Sequence, residues 1–170
     1  LPEEGGENMI RKAIIEGNYR YQLYREWDSE KKSIMWIMLN PSIADGKKDD
    51  PTIRKIIRIS DKLGYGSLYV GNLYAYICTN SKQLFRENID YKGPYRYLYL
   101  QNMLCQTEKV ILACGRKAKE KDLQALMKMM KIYKNKIYCL KINKNSTPAH
   151  PLYLSEKNIK LIEYRIPEEK

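Results

Sequence analysis

The sequence predicts an α/β fold: a mostly parallel sheet of about four strands, joined by one N-terminal antiparallel strand, with helices on both faces. Three observations lead to it. Four short, almost continuously apolar runs, at 33–39, 67–70, 109–113 and 136–140, read as strands covered on both sides. Between them lie segments whose apolar residues recur at helical spacing. Strands that alternate with helices in this way pair in parallel through right-handed crossovers. The chain has 170 residues, about the size of one domain.

Each element has a local reason. Residues 1–8, with three glutamates and two glycines, read as an added or loose tail, leaving 9–170 as a single α/β domain. Tyrosines alternate with polar residues from 19 to 27, and a turn-like Asp-Ser-Glu-Lys-Lys follows at 28–32. Together they predict a strand and a hairpin turn. The run at 33–39 is the most apolar of the chain and belongs at the centre of the sheet; Asn40-Pro41-Ser42 forces a loop after it. Asp50 suits a helix cap and Pro51 the first helical position, with Ile53, Ile56, Ile57 and Leu63 on one face of the helix they open. Gly64-Tyr65-Gly66 closes that helix, and the strand from 67 reaches Gly71-Asn72-Leu73, completing a β-α-β unit.

A short helix is expected at 81–88 and a tyrosine-rich one from 95 to about 108, with Gly93-Pro94 between them. The strand at 109–113 runs into Cys114-Gly115. A basic, methionine-rich helix then spans about 119–134, its stripe of Leu123, Leu126, Met127 and Met130 reading as core packing. The strand at 136–140 leads into a polar loop at 143–151, and the segment 159–166 is compatible with a short strand or a helix.

Composition narrows the function classes. The apolar and charged fractions, 44% and 30%, are ordinary for a globular chain, and no apolar run approaches the roughly 18 residues of a membrane span. The net charge is +11, and residues 116–144 carry ten Lys and Arg against Glu120 and Asp122. Such a field attracts polyanions, nucleic acid foremost, although solvated lysine-rich helix faces give the same count. Cys78, Cys105, Cys114 and Cys139 show no C-x-x-C spacing and His150 is the lone histidine, so neither a metal nor another cofactor is expected. The cysteines read as small buried hydrophobes of a reduced, cytoplasmic protein. The Walker and dinucleotide-binding glycine motifs are both missing from the sequence.

In open α/β sheets, ligands bind beyond the carboxyl ends of the strands. Here those ends carry Asn40-Pro41-Ser42, Asn72-Leu73-Tyr74, Cys114-Gly115-Arg116 and the loop to His150-Pro151. Asn40 could position a nucleophile, or its amide could cap its own loop. Asn72 offers a donor and an acceptor, the pair that reads the edge of a pyrimidine, or it is a turn residue. His150 could stabilise a developing negative charge, with Ser146 and Thr147 as phosphate or sugar contacts. Asp45, Asp49 and Asp50 could act as a base or bind a cation, or simply cap and be solvated. Gly115 permits close backbone approach, and Pro41, Ser42, Tyr74 and Pro151 complete the candidate lining.

Several motifs come in a fixed order: Tyr-Arg-Tyr-Gln-Leu-Tyr-Arg-Glu-Trp-Asp from Tyr19, Ile-Met-Leu-Asn-Pro-Ser-Ile-Ala-Asp from Ile37, Asp-Asp-Pro-Thr-Ile-Arg from Asp49, Gly-Asn-Leu-Tyr-Ala from Gly71 and Ala-His-Pro-Leu-Tyr-Leu from Ala149. They resemble a bacterial and phage family catalogued as a domain of unknown function, number sixteen forty-three, and the resemblance would make Met9 a natural start. More distantly, Ile37-Met38-Leu39-Asn40-Pro41, the segment 110–115 and His150-Pro151-Leu152 resemble three motifs of the uracil-DNA glycosylase superfamily. That resemblance implies a three-layer α/β/α fold, a water oriented by Asn40, a base faced by Asn72, and a departing base anion or a phosphate contacted by His150. It implies DNA or a nucleotide as partner, a flipped-out base, and hydrolysis of the N-glycosidic bond. Ser42, where the glycosylase motif has glycine, and the His-Pro-Leu-Tyr-Leu loop depart from the pattern. A non-catalytic nucleotide or nucleic-acid binder using the same pocket, in conflict between phage and host, is the alternative. A module that docks an acidic protein partner is a third.

Overall fold

The computed structural model describes residues 8–86, 88–133 and 136–165. Seven strands form one sheet: β1 (Ile10–Glu16), β2 (Tyr19–Glu26), β3 (Ser33–Met38), β4 (Ser67–Asn72), β5 (Lys109–Ala113), β6 (Lys136–Cys139) and β7 (Ile162–Glu163). Their spatial order is β1-β2-β4-β3-β5-β6-β7. The middle four, β4-β3-β5-β6, are mutually parallel, while β1, β2 and β7 run antiparallel to their neighbours. Among the described residues three α-helices connect them: α1 (Pro51–Lys62), α2 (Arg96–Cys105) and α3 (Glu120–Met130). The expected parallel strands are all present. Chain order reverses between β3 and β5, since β3 continues to β4 on one side while β5 and β6 extend on the other. The crevice at the carboxyl ends of β3 and β5 is therefore the switch point at which ligands bind in such sheets.

Two corrections concern the N-terminal third. The expected hairpin between 19–27 and 33–39 does not form, because β2 and β3 pair with opposite edges of β4. The intervening residues cross the start of β4 instead: Trp27 and Asp28 donate their N–H groups to the Gly66 carbonyl, and Gly66 N–H donates to the Lys32 carbonyl. A Cβ at Gly66 would sit 1.9 Å from the Asp28 carbonyl oxygen, so this crossing needs glycine. The second correction is that two N-terminal antiparallel strands exist rather than one; β1 covers the free edge of β2 with a mixed sequence, Ile-Arg-Lys-Ala-Ile-Ile-Glu, that lacks an apolar run.

Alternation along β3 divides the apolar residues between two cores. Ile34, Trp36 and Met38 join Ile53, Ile56, Ile57 and Ile59 of α1, and Trp36 donates its ring N–H to Ser60 Oγ at 2.9 Å. Met35 and Ile37 join Leu100, Met103 and Leu104 of α2 and Leu123, Leu126 and Met130 of α3. Asp50 caps α1 as expected, its Oδ1 accepting from Ile53 N–H at 2.9 Å. The remaining helices are shorter than their sequence patterns: a single 3-10 turn, Ser81–Gln83, stands for the helix at 81–88, and α2 and α3 end three to four residues early. Lys134 and Ile166, expected ends of elements, lie outside the described residues, as do residues 1–7 of the expected tail. Cys114 and Cys139 are buried, but Cys105 is exposed and Cys78 half-buried, because Cys105 falls on the outward face of the last turn of α2. Among the described residues, no helix is long and apolar enough to cross a membrane.

Strand β2 carries an irregularity that matters for the site. Ile14 and Ile15 of β1 pair with Gln22 and Arg20, so Tyr21 is an extra residue on β2. A bulge of this kind inverts the alternation of side chains before it. Leu23 and Arg25 face the α1 core, Tyr21 stacks on Tyr99 of α2, and Arg20 is turned back toward the α1 side, where its Nη1 donates to the Ala44 carbonyl.

Candidate functional site

A cavity of about 740 Å³ opens at the carboxyl ends of the parallel strands, within the range of small-molecule sites. Segments after all four strands line it: Met38 to Asn40 and Ser42 after β3, Asn72 at the end of β4, Cys114, Arg116 and Lys117 after β5, and Lys141, Asn143 and Ala149 to His150 after β6. The convergence expected from the sequence is thus present, with α1 contributing its capping Asp50 and its first turn.

Asn40 caps its own loop, the structural one of the two roles expected for it. Its amide nitrogen donates to the carbonyls of Pro41 (2.9 Å) and Cys78 (2.8 Å), which fixes the orientation of the side chain and leaves Oδ1 as its acceptor. Asn72 is 3% exposed, and neither amide atom has a protein partner. A buried amide left in this condition is costly, and such groups in folded proteins mark strain, a functional constraint, or an ordered water or ligand. His150 caps the 3-10 turn Pro151–Tyr153, with Nδ1 accepting from Leu152 N–H at 3.2 Å. That bond assigns the ring proton to Nε2. Burial holds the His150 pKa below its ordinary value; nearby Asp50 opposes the shift and Lys55 adds to it. The imidazole is therefore a neutral donor at pH 7. Lys55, itself buried on α1, holds the turn after His150 by donating to the carbonyls of Leu152 and Leu154.

Among the other sequence candidates, Ser42 and Asp50 line the cavity. The rest are not among its lining residues. Gly115, at φ +77°, donates its N–H to the Pro148 carbonyl (2.7 Å), and a Cβ there would lie 3.4 Å from that of His150, so the close approach it permits is that of the histidine loop itself. Thr147 is buried, with its hydroxyl bonded to Asn145 and Asn143, and Ser146, at φ +62°, offers its carbonyl to the Tyr164 hydroxyl. The Pro41 carbonyl accepts from Asn40, and Pro151 starts the 3-10 turn. Tyr74 points into the α2–α3 core, donating to Asp122 Oδ2 at 2.9 Å. Asp45 turns its carboxylate onto the N–H groups of Lys47 and Lys48, and Asp49 pairs with Arg25. Among the described residues no cluster of metal-ligating side chains occurs.

Sequence reasoning missed Arg20. It lies in what reads as a tyrosine-rich scaffold strand, yet it lines the cavity at 3% exposure, with its Nε lacking a partner. Burial lowers its pKa to about 10, with Asp50 opposing that shift, so the guanidinium stays charged at neutral pH. Arg116, Lys117 and Lys141 were visible only as members of a basic run; the fold sets them, all exposed, at the same cavity. Asp50 is the one carboxylate that lines it among the described residues. The Cys114 thiol, also in the lining, is pushed up to about 12 by burial and is no nucleophile at neutral pH.

The fold and cavity define an α/β protein with a cationic site at the strand switch point. The chain belongs to the family described as "Protein of unknown function (DUF1643)", whose model matches residues 20–152. Comparison with curated proteins and with solved structures gave no match.

Proposed function

We propose that this protein recognises a nucleobase within a nucleotide or a DNA strand and acts on it as a uracil-DNA glycosylase-like hydrolase of the N-glycosidic bond. The observation that carries the reading is the Asn72 amide, a buried donor and acceptor without protein partners beside the cavity. A base edge supplies the complementary pair. The three-layer α/β/α arrangement implied by the glycosylase resemblance is supported by the two cores, one holding α1 and the other α2 and α3.

In the reaction, a water held by Asn40 Oδ1 attacks the sugar carbon that bears the base. The carbon–nitrogen bond breaks, its electron pair leaves with the base, and Nε2–H of neutral His150 donates to the anion so formed. Asp50 takes the proton of the water; its Oδ1 is held by Ile53 N–H, leaving Oδ2 for that role. Arg116, Lys117 and Lys141 attract the phosphates at the mouth.

The orphaned amide and the basic rim serve recognition whether or not a bond breaks, so a sensor that holds a nucleotide unchanged is the second reading. Oligonucleotides carrying uracil, a thymine mismatch or hydroxymethyluracil, single- and double-stranded, separate the two when scored for abasic sites and for binding. The hydrolase reading expects abasic sites that vanish in Asn40→Ala and His150→Ala. Base-dependent binding without product would leave the sensor, and binding that ignores the base would remove both.

A further inference from the structure

The buried unpartnered side-chain atoms among the described residues are three: Arg20 Nε, Asn72 Nδ2 and Asn72 Oδ1. Both residues line the same cavity. They stand on adjacent strands, with Arg20 N–H donating to the Ala75 carbonyl just beyond Asn72. Two independent features set Arg20 apart from a structural arginine. The first is the bulge at Tyr21, without which Arg20 would share a face with Gln22 and Tyr24 rather than with Leu23 and Arg25. Bulges beside binding sites commonly re-aim a side chain. The second is the contrast with Arg25, also on β2 and fully buried. Arg25 makes an ion pair with Asp49 at 2.6 Å and bonds to the carbonyls of Lys12, Tyr24, Asp45 and Lys48. Arg20 makes no ion pair among the described residues, and the only side-chain hydrogen bond it makes there is from Nη1 to the Ala44 carbonyl. A buried cation in that state needs an acceptor from elsewhere.

We infer that Arg20 is a specificity-determining residue of this cavity, donating from Nε to a ring carbonyl of a 2,4-dioxopyrimidine whose remaining edge is read by Asn72. This rests on the base-recognition reading above and names the base class. Two donors and one acceptor on the protein are complemented by an O=C–N(H)–C=O edge, which carries two acceptors around one donor. Phosphate is the poorer match for Arg20, because Arg116, Lys117 and Lys141 are exposed whereas Arg20 is almost wholly buried beside the base-reading amide.

The test is a cycle between protein and ligand. Oligonucleotides carry deoxyuridine, its analogue without O4 (2-pyrimidinone), its analogue without O2 (4-pyrimidinone) or an abasic site, the three nucleosides with a 2′-fluorinated sugar that blocks cleavage. Affinities are measured for the wild-type protein, Arg20→Met and Arg20→Lys; the lysine variant retains the charge and can still reach Ala44, so a folding defect in the first variant leaves the second informative. Each analogue also lacks the N3–H, a loss shared by all three proteins that cancels in the cycle; beyond that loss, the carbonyl that Arg20 holds contributes about 10- to 100-fold to wild-type affinity, the worth of a hydrogen bond to a charged group. In both variants the penalty for the analogue lacking that carbonyl is smaller than in the wild type by that same factor, while the penalty for the other analogue keeps its wild-type value. Equal penalties for both carbonyls in wild type and variants would overturn the role of Arg20 while leaving base recognition standing. Wild-type affinity that is the same for deoxyuridine and abasic strands would overturn base recognition and the Arg20 inference together.

Discussion

Replacing Asn72 with leucine tests whether its amide is kept for a ligand rather than for the fold. A buried polar group without hydrogen bonds costs about 1–3 kcal/mol, and the Asn72 amide is such a group at both its nitrogen and its oxygen. An apolar side chain removes that penalty, and the added volume can extend toward the cavity. Taking about 1–3 kcal/mol for the amide, and about 2–4 °C per kcal/mol for a domain of this size, Asn72→Leu is expected to melt roughly 2–12 °C above the wild type. The same variant loses base-dependent binding. Asn40→Leu is the control: it strips hydrogen bonds from the carbonyls of Pro41 and Cys78 and is expected to lower stability by about 1–3 kcal/mol. Thermal melts and urea titrations of the three proteins without ligand decide the matter. An Asn72→Leu protein that is destabilised as much as Asn40→Leu would show that the amide is structural and refute the reasoning.

Three further outcomes follow from the same geometry. Gly66→Ala drives a methyl against the Asp28 carbonyl and is expected to cost more than about 3 kcal/mol, read as a drop in the urea midpoint. Tyr74→Phe strands Asp122 Oδ2 and the Lys119 N–H it bonds, so it should lower stability by about 1–3 kcal/mol while leaving oligonucleotide affinity unchanged, measured by melts and by titration. His150 has a folded pKa depressed below 6.5, chiefly by burial, so the unfolded chain binds its proton first as pH falls. Its contribution to stability is complete above pH 6.5 and declines as pH drops through the folded value; melts between pH 7.5 and 5 should show that loss in the wild type and a smaller one in His150→Gln.

The central strands were legible in the sequence because burial on both faces leaves a continuous apolar run, as in 33–39 and 109–113. The cap at Asp50 was legible because capping is local chemistry. Strand β1 was not, since an edge strand packs on one neighbour and carries a mixed pattern. The mistaken hairpin has a similar cause: the turn at 28–32 has hairpin composition, and only the partner at Gly66, far along the chain, redirects it. At the site, Asn40, Asn72, Asp50 and His150 could be found because they stand at strand ends or helix starts that local patterns mark. Ser146 and Thr147 share that loop chemistry but do not line the cavity: the Thr147 hydroxyl is spent on Asn143 and Asn145, and the Ser146 carbonyl accepts from the Tyr164 hydroxyl. Arg20 was hidden because its direction depends on a bulge created by pairing with β1, which no local pattern in β2 announces.

The most direct test of base recognition is to watch the Asn72 side chain itself. In ¹⁵N-labelled protein, the side-chain amide resonance of Asn72, assigned by its loss in Asn72→Leu, is followed while a uracil-bearing trinucleotide is added, and again with an abasic trinucleotide. Base recognition predicts a shift of that resonance with the first and none with the second, as the orphaned donor and acceptor find the base edge. An unmoved Asn72 resonance, with shifts confined to Arg116, Lys117 and Lys141, would show that only the phosphates are bound and would contradict it.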